Sequence, residues 1–188
     1  MKDMVSLARN VALLVGLGLY VLTPEALAAP ATWQVIETPN FRVLHLDSRM
    51  GREVARAAER WRQKLDQVWT GGLPTVRWKI RCDLYLFRDN AELVRMTGGS
   101  RKAGSALALQ SRLMGGKVYR RRINLAANDR ELLTSTLPHE VSHVVLKDLV
   151  RNVPRWADEG IAMTAESRRS KRRRVLALRR AVHHGPFY

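Results

Sequence analysis

The chain is 188 residues long, 46% apolar and 27% charged, the balance of one soluble globular domain. Its 33 Lys and Arg oppose 17 Asp and Glu for a net charge of +16, and a single cysteine, Cys82, excludes an intrachain disulfide. Collagen, coiled coil, disulfide-stapled miniprotein and polytopic membrane protein are excluded, and about 160 residues of mature chain suffice for one core.

Lys2 and Arg9 precede an apolar run from Val11 to Leu22, followed by Pro24 and Ala26-Leu27-Ala28-Ala29. This order predicts a secretory signal peptide over residues 1–28, cut after Ala28 or Ala29. The run is shorter than the roughly 20 residues of a spanning helix. An uncleaved membrane anchor is the alternative. No cysteine stands at the cleavage site, which argues against a lipoprotein. The mature chain is expected to be exported, periplasmic or secreted. It keeps its +16, since residues 1–28 lose Lys2 and Arg9 together with Asp3 and Glu25.

Phe41 to Leu46 alternates after Pro39-Asn40 and predicts a strand. Val54, Ala57, Ala58, Trp61, Leu65 and Val68 recur at helical steps, predicting a helix from about Arg52 to Trp69 that Gly71-Gly72 stops. Trp78 to Phe87 alternates again as a second strand. Asn90 to Thr97 predicts a short helix capped by Asp89 or Asn90. Ser105–Leu113 and Lys117–Leu125 flank Met114-Gly115-Gly116 and predict a hairpin. A helix is expected to begin near Asn128–Glu131 and to run to about Leu149. Pro138 makes that segment either kinked or the start of a second helix. A further helix is expected from Arg155 or Trp156, after Pro154. Strands and helices interleave, and the hairpin argues against a purely parallel sheet. The fold class is α+β, a small mixed sheet with an edge hairpin packed on helices.

His139-Glu140-Val141-Ser142-His143 fits H-E-x-x-H on a predicted helix. Imidazoles at i and i+4 share one face and can reach one ion. Glu140 lies one step round and can point at a water rather than at the metal. Catalytic zinc takes three protein ligands and keeps a position for water, so a third ligand is needed. Asp158 or Glu159, on the helix after a short return loop, can supply it. Asp148 is a candidate for orienting an imidazole or else a solvated surface charge.

The stretch from Pro138 to Ala162, PHEVSHVVLKDLVRNVPRWADEGIA, resembles the peptidase MA-like domain of the gluzincin zinc metallopeptidases. Their pattern is H-E-x-x-H, a short loop, then P-x-W-x-x-E-G-x-A. The resemblance implies a zincin-like fold over residues 33–166; residues 167–188 read separately, from their charge, as a basic C-terminal helix or tail. It implies that Glu159 is the third zinc ligand beside His139 and His143. It also implies a metallopeptidase that hydrolyses peptide bonds through a zinc-bound water activated by Glu140. In that family the strand ahead of the metal helix, here Lys117–Leu125, is a sheet edge that pairs with an extended substrate. A later His or Tyr often holds the oxyanion; His183, His184, Tyr188 and, on the strand, Tyr119 are the residues available. His45 is expected to be structural.

Residues 164–188 hold eight Lys and Arg against Glu166 alone. Arg168, Arg169, Lys171, Arg172, Arg173 and Arg174 open a polybasic tract that suits an anionic envelope surface, or simply a solvated helix face. Nucleic acid is not an expected partner of an exported protein. A second function class therefore stands beside the peptidase: a catalytically silent, metal-binding envelope module.

Overall fold

The computed structural model describes residues 32–73, 76–98, 106–112 and 116–184. The expected signal peptide and its cleavage site lie outside the described residues, as do Met114, Gly115 and Tyr188. The elements run β1 (Gln34–Glu37), β2 (Phe41–His45), α1 (Ser48–Trp69), β3 (Cys82–Phe87), α2 (Asn90–Thr97), β4 (Ala106–Arg112) and β5 (Val118–Ala126). One wide turn of π-helical backbone (Leu132–Thr136) leads into α3 (Leu137–Leu149), α4 (Arg155–Thr164) and α5 (Arg168–His184). The fold is α+β with a mixed sheet, as the interleaved periodicities predict.

The sheet order is β1-β2-β3-β5-β4. The outer pairs β1–β2 and β4–β5 are antiparallel, and the inner pairs β2–β3 and β3–β5 are parallel. Alternation decides which face is buried. Phe41 and Val43, Leu84 and Leu86, and Ile123 and Leu125 all point to one side. There they form a single core with Val54, Ala58 and Leu65 of α1 and Leu137, Val141 and Val144 of α3. Cys82 belongs to this core, and burial pushes its thiol far up, so it packs as a small apolar group. No helix among the described residues is long and apolar enough to cross a membrane.

Four local expectations are corrected. First, the chain contains β1, which the sequence pattern did not reveal. This edge strand is mostly exposed and lacks clean alternation. Second, the strand expected from Trp78 begins only at Cys82. Trp78 donates its backbone N–H to the Asn40 side chain, and its ring lies between the guanidiniums of Arg62 and Arg121, 4.6 and 4.7 Å from its centroid. These contacts hold residues 78–81 away from the ladder. Third, β5 is not the sheet edge. It is interior, and β4 is the edge beside it. Fourth, α1 starts at Ser48, not Arg52, because Asp47 accepts the N–H groups of Arg49 and Met50 as a cap. The Pro138 ambiguity resolves in favour of a new helix, with proline in the first turn of α3, where its missing N–H costs nothing.

Gly51 sits in the second turn of α1 for a steric reason. The buried His45 ring lies against it, and a Cβ added there would fall 2.4 Å from His45 Cδ2. Helix propensity alone would favour Gly51→Ala by ~1 kcal/mol. Overpacking should reverse the sign and destabilise the fold by roughly 1–3 kcal/mol. In a His45→Ala background the same substitution should instead stabilise. Denaturant melts of the four forms of this cycle measure both effects.

Candidate metal centre

The site is built on α3. One side of this helix carries Val141, Val144 and Val145 into the core, which turns the i, i+4 pair His139 and His143 toward a cleft. Their rings meet edge to face with centroids 4.8 Å apart, and the two Nε2 atoms are 3.1 Å apart. Residues 150–154 then reverse the chain. Val150 is extended, Asn152 takes the left-handed conformation at φ 56°, and Pro154 sits at the N-cap of α4. Asparagine tolerates that conformation better than most residues. The return packs α4 against α3. Glu159 Oε2 comes to rest 3.4 Å from His139 Nε2 and 3.9 Å from His143 Nε2. The three donor atoms all lie within 4.8 Å of one another.

Each imidazole is held from behind. His143 Nδ1 lies 2.6 Å from Asp158 Oδ1, and the other Asp158 oxygen lies 3.5 Å from Lys147 Nζ. His139 Nδ1 lies 2.8 Å from Glu166 Oε1, though the two are not aligned as a hydrogen bond. Burial pushes the Glu166 carboxyl up. Hydrogen bonds from Ser170 and Arg174 and the Arg174 charge outweigh it, so the group ends below its ordinary value. Burial, and then the neighbouring His143, hold the His139 imidazole below its usual range and so in the neutral form a metal needs.

These facts test whether the residues fit a metal. A carboxylate at each Nδ1 favours the tautomer with hydrogen on Nδ1 and a lone pair on Nε2. Two lone pairs then face each other at 3.1 Å, beside a carboxylate oxygen, an arrangement that repels unless a cation lies among them. Tetrahedral ligands about 2.0–2.1 Å from one zinc ion are about 3.3–3.4 Å apart. The observed separations of 3.1, 3.4 and 3.9 Å bracket that spacing. Two neutral nitrogens and one carboxylate suit zinc. Glu159 is 47% exposed, which leaves the open side toward the cleft.

Glu140 is buried beside the pair, and its carboxyl accepts the backbone N–H of Ala108 on β4. Burial, and then the Glu159 charge, push it up to about 8. The cleft in front has a volume of about 760 Å³. Ala106–Ala108 of β4 border it on one side, Asp158 and Glu159 on another, and Arg173 and Arg174 of α5 on a third.

His139, Glu140, His143 and Glu159 are thus brought together. Asp158, the other carboxylate the sequence leaves open as third ligand, stands behind His143 instead. Asp148 is neither imidazole partner nor solvated charge. It pairs with the buried guanidinium of Arg121 at 2.8 Å and accepts from Gln110. Tyr119 lines a separate, smaller hollow with Arg42 and Asp83, away from the cleft. His45 is buried under α1, as a structural residue is expected to be. The sequence reading missed Glu166 and the Ala108 N–H. The signal for Glu166 was its isolation, the one carboxylate within a run of eight cations. Comparison of the chain with protein-family models, with curated proteins and with solved structures finds no match.

One zinc per chain is expected, and His139→Ala should abolish stoichiometric binding. Asp158→Asn and Glu166→Gln should each weaken binding roughly 10–100-fold, the usual effect of losing an imidazole's outer partner. Competition titrations with a chromogenic chelator measure all three.

Proposed function

We propose that this chain is a zinc-dependent metallopeptidase of the gluzincin type on a zincin-like fold, with His139, His143 and Glu159 as metal ligands and Glu140 as general base. The observation that carries the reading is the convergence of three donor atoms within 4.8 Å, with a fourth, non-ligating carboxylate buried alongside. A purely structural metal site has no use for that fourth group. Zinc bound there would supply Lewis acidity, polarising a peptide carbonyl and making a water acidic near neutral pH.

The chain's own residues do the rest. Zinc's charge beside it would favour the ionised Glu140 carboxylate over the raised value it has alone, and in that form Glu140 takes the proton from the attacking water and delivers it to the departing amine. Asp158 orients the His143 imidazole through its Nδ1, and the Glu166 carboxylate 2.8 Å from His139 Nδ1 favours hydrogen on that nitrogen. An extended peptide can add to the outer edge of β4, whose residues Ala106–Ala108 border the cleft. That role passes from the Lys117–Leu125 strand to its neighbour. Export through residues 1–28 belongs to the same reading, and N-terminal sequencing of the secreted protein should find Ala29 or Pro30 first.

Glu140→Gln separates catalysis from binding. The side chain is buried with a raised pKa, so the neutral isostere should fold and hold zinc like the wild type. Peptide hydrolysis should fall by at least roughly 100-fold. Glu159→Gln should instead lose metal and activity together, since an amide is a poorer zinc ligand than a carboxylate. Metal content and turnover of a quenched-fluorescent peptide library report the two effects. Hydrolysis by Glu140→Gln at the wild-type rate would end the general-base assignment. If wild type and Glu140→Gln both hold zinc and neither cleaves, the silent envelope-module reading replaces the enzyme.

A further inference from the structure

Helix α5 is only rooted in the fold. Ser170 and Glu166 at its base are buried, Arg174 pairs with Glu166 and Arg173 with Glu131, but every residue from Arg172 to Arg180 is exposed. Eight of its residues are Lys or Arg. Among the described residues, no carboxylate pairs with Arg168, Arg169, Lys171, Arg172, Arg179 or Arg180. A helix of this charge in water gains nothing from its own repulsion, so its cations suit an external anionic partner.

The apolar residues decide what kind of anion. Val175 and Leu178 are 45% and 64% exposed and lie three residues apart on one face of the helix. Arg168, Arg172 and Arg179 flank that stripe at helical spacing on one side, and Arg174 flanks it on the other. A second set of exposed apolar residues belongs to the α3–α4 turn. Trp156 at the start of α4 is 80% exposed, Leu149 and Val150 at the end of α3 are also exposed, and Arg151 and Arg155 adjoin them in sequence. Arg155, the residue before Trp156, lines the same cleft as Arg173 and Arg174 of α5. A soluble polyanion has no use for exposed aliphatic and indole surface. A bilayer interface takes all three features, with apolar side chains entering the headgroup boundary and arginines pairing with phosphates.

We propose that α5 and the α3–α4 turn together dock this protein on an anionic lipid bilayer, with the cleft held at the membrane surface. The proposal does not depend on hydrolysis, and its test reads none.

Full-length mature protein is titrated with vesicles of neutral phosphatidylcholine or of phosphatidylcholine with 30% phosphatidylglycerol. Binding is expected only to the anionic vesicles and should weaken with salt. Removing the charges of Arg172, Arg179 and Arg180 together by substitution with Gln should weaken it roughly 100-fold, about fivefold per cation. Val175→Ser with Leu178→Ser keeps every charge and should still weaken vesicle binding several-fold, while heparin binding stays unchanged. The Trp emission should shift blue on binding, and Trp156→Phe should remove the shift. All the substituted positions are exposed, so circular dichroism should show every variant folded. Equal affinity for neutral and anionic vesicles would overturn the proposal. So would serine variants that bind anionic vesicles as well as wild type, which would make α5 a polyanion site instead.

Discussion

The turn at residues 150–154 is the constraint on which the site depends. It is too short for α4 to go anywhere but back across α3. The left-handed Asn152 and the Pro154 cap determine where α4 begins. Consecutive residues of α4 then serve opposite ends of the imidazoles. Asp158 reaches a Nδ1 from behind while Glu159 meets both Nε2 atoms in front. A change in length at this turn would rotate α4 by about 100° per residue and separate both carboxylates from their histidines.

The other half of the geometry comes from the sheet. The hydrophobic face of α3 packs on α1, β4 and β5, and its polar end is tied down by the Arg121–Asp148 pair, with Trp78 stacked on the same guanidinium. A buried pair of this kind contributes little net stability, but removing either partner alone is costly. Its effect is to hold α3 against β5 and β4. That keeps Ala108 within reach of Glu140.

Most of the fold was legible because it is written in local periodicity. Val54 to Val68 and the alternation of Phe41–His45 and Cys82–Phe87 each satisfy one clear period. The H-E-x-x-H pair was legible for the same reason, since both histidines lie on one helix. What could not be read depends on contacts between segments far apart. Nothing local marks Gln34–Glu37 as a strand, because an exposed edge needs no apolar alternation. Whether β4 or β5 forms the edge depends on β5 pairing in parallel with β3 across the α2 insertion, which no spacing records. Asp148 lies on the helix of the histidines, yet its partner is the arginine across the sheet. Glu166 and Asp158 differ from ordinary surface carboxylates only through the chain reversals that bring them to His139 and His143.

The two walls of the cleft are anchored unequally. Apolar burial and the Arg121–Asp148 pair secure α3 to the sheet, whereas α4 buries only Ala162 fully and sets two carboxylates, Asp158 and Glu159, against the imidazoles of α3. Local opening follows the weakest apolar anchoring. The sheet and α3 therefore form one cooperative unit, and α4 and the root of α5 form a second, looser one. A cation joining His139 and His143 to Glu159 would bridge the two units. Ion binding and the ordering of the last two helices are then a single equilibrium, and chelation would loosen α4 and the root of α5 well before the sheet and α3 give way.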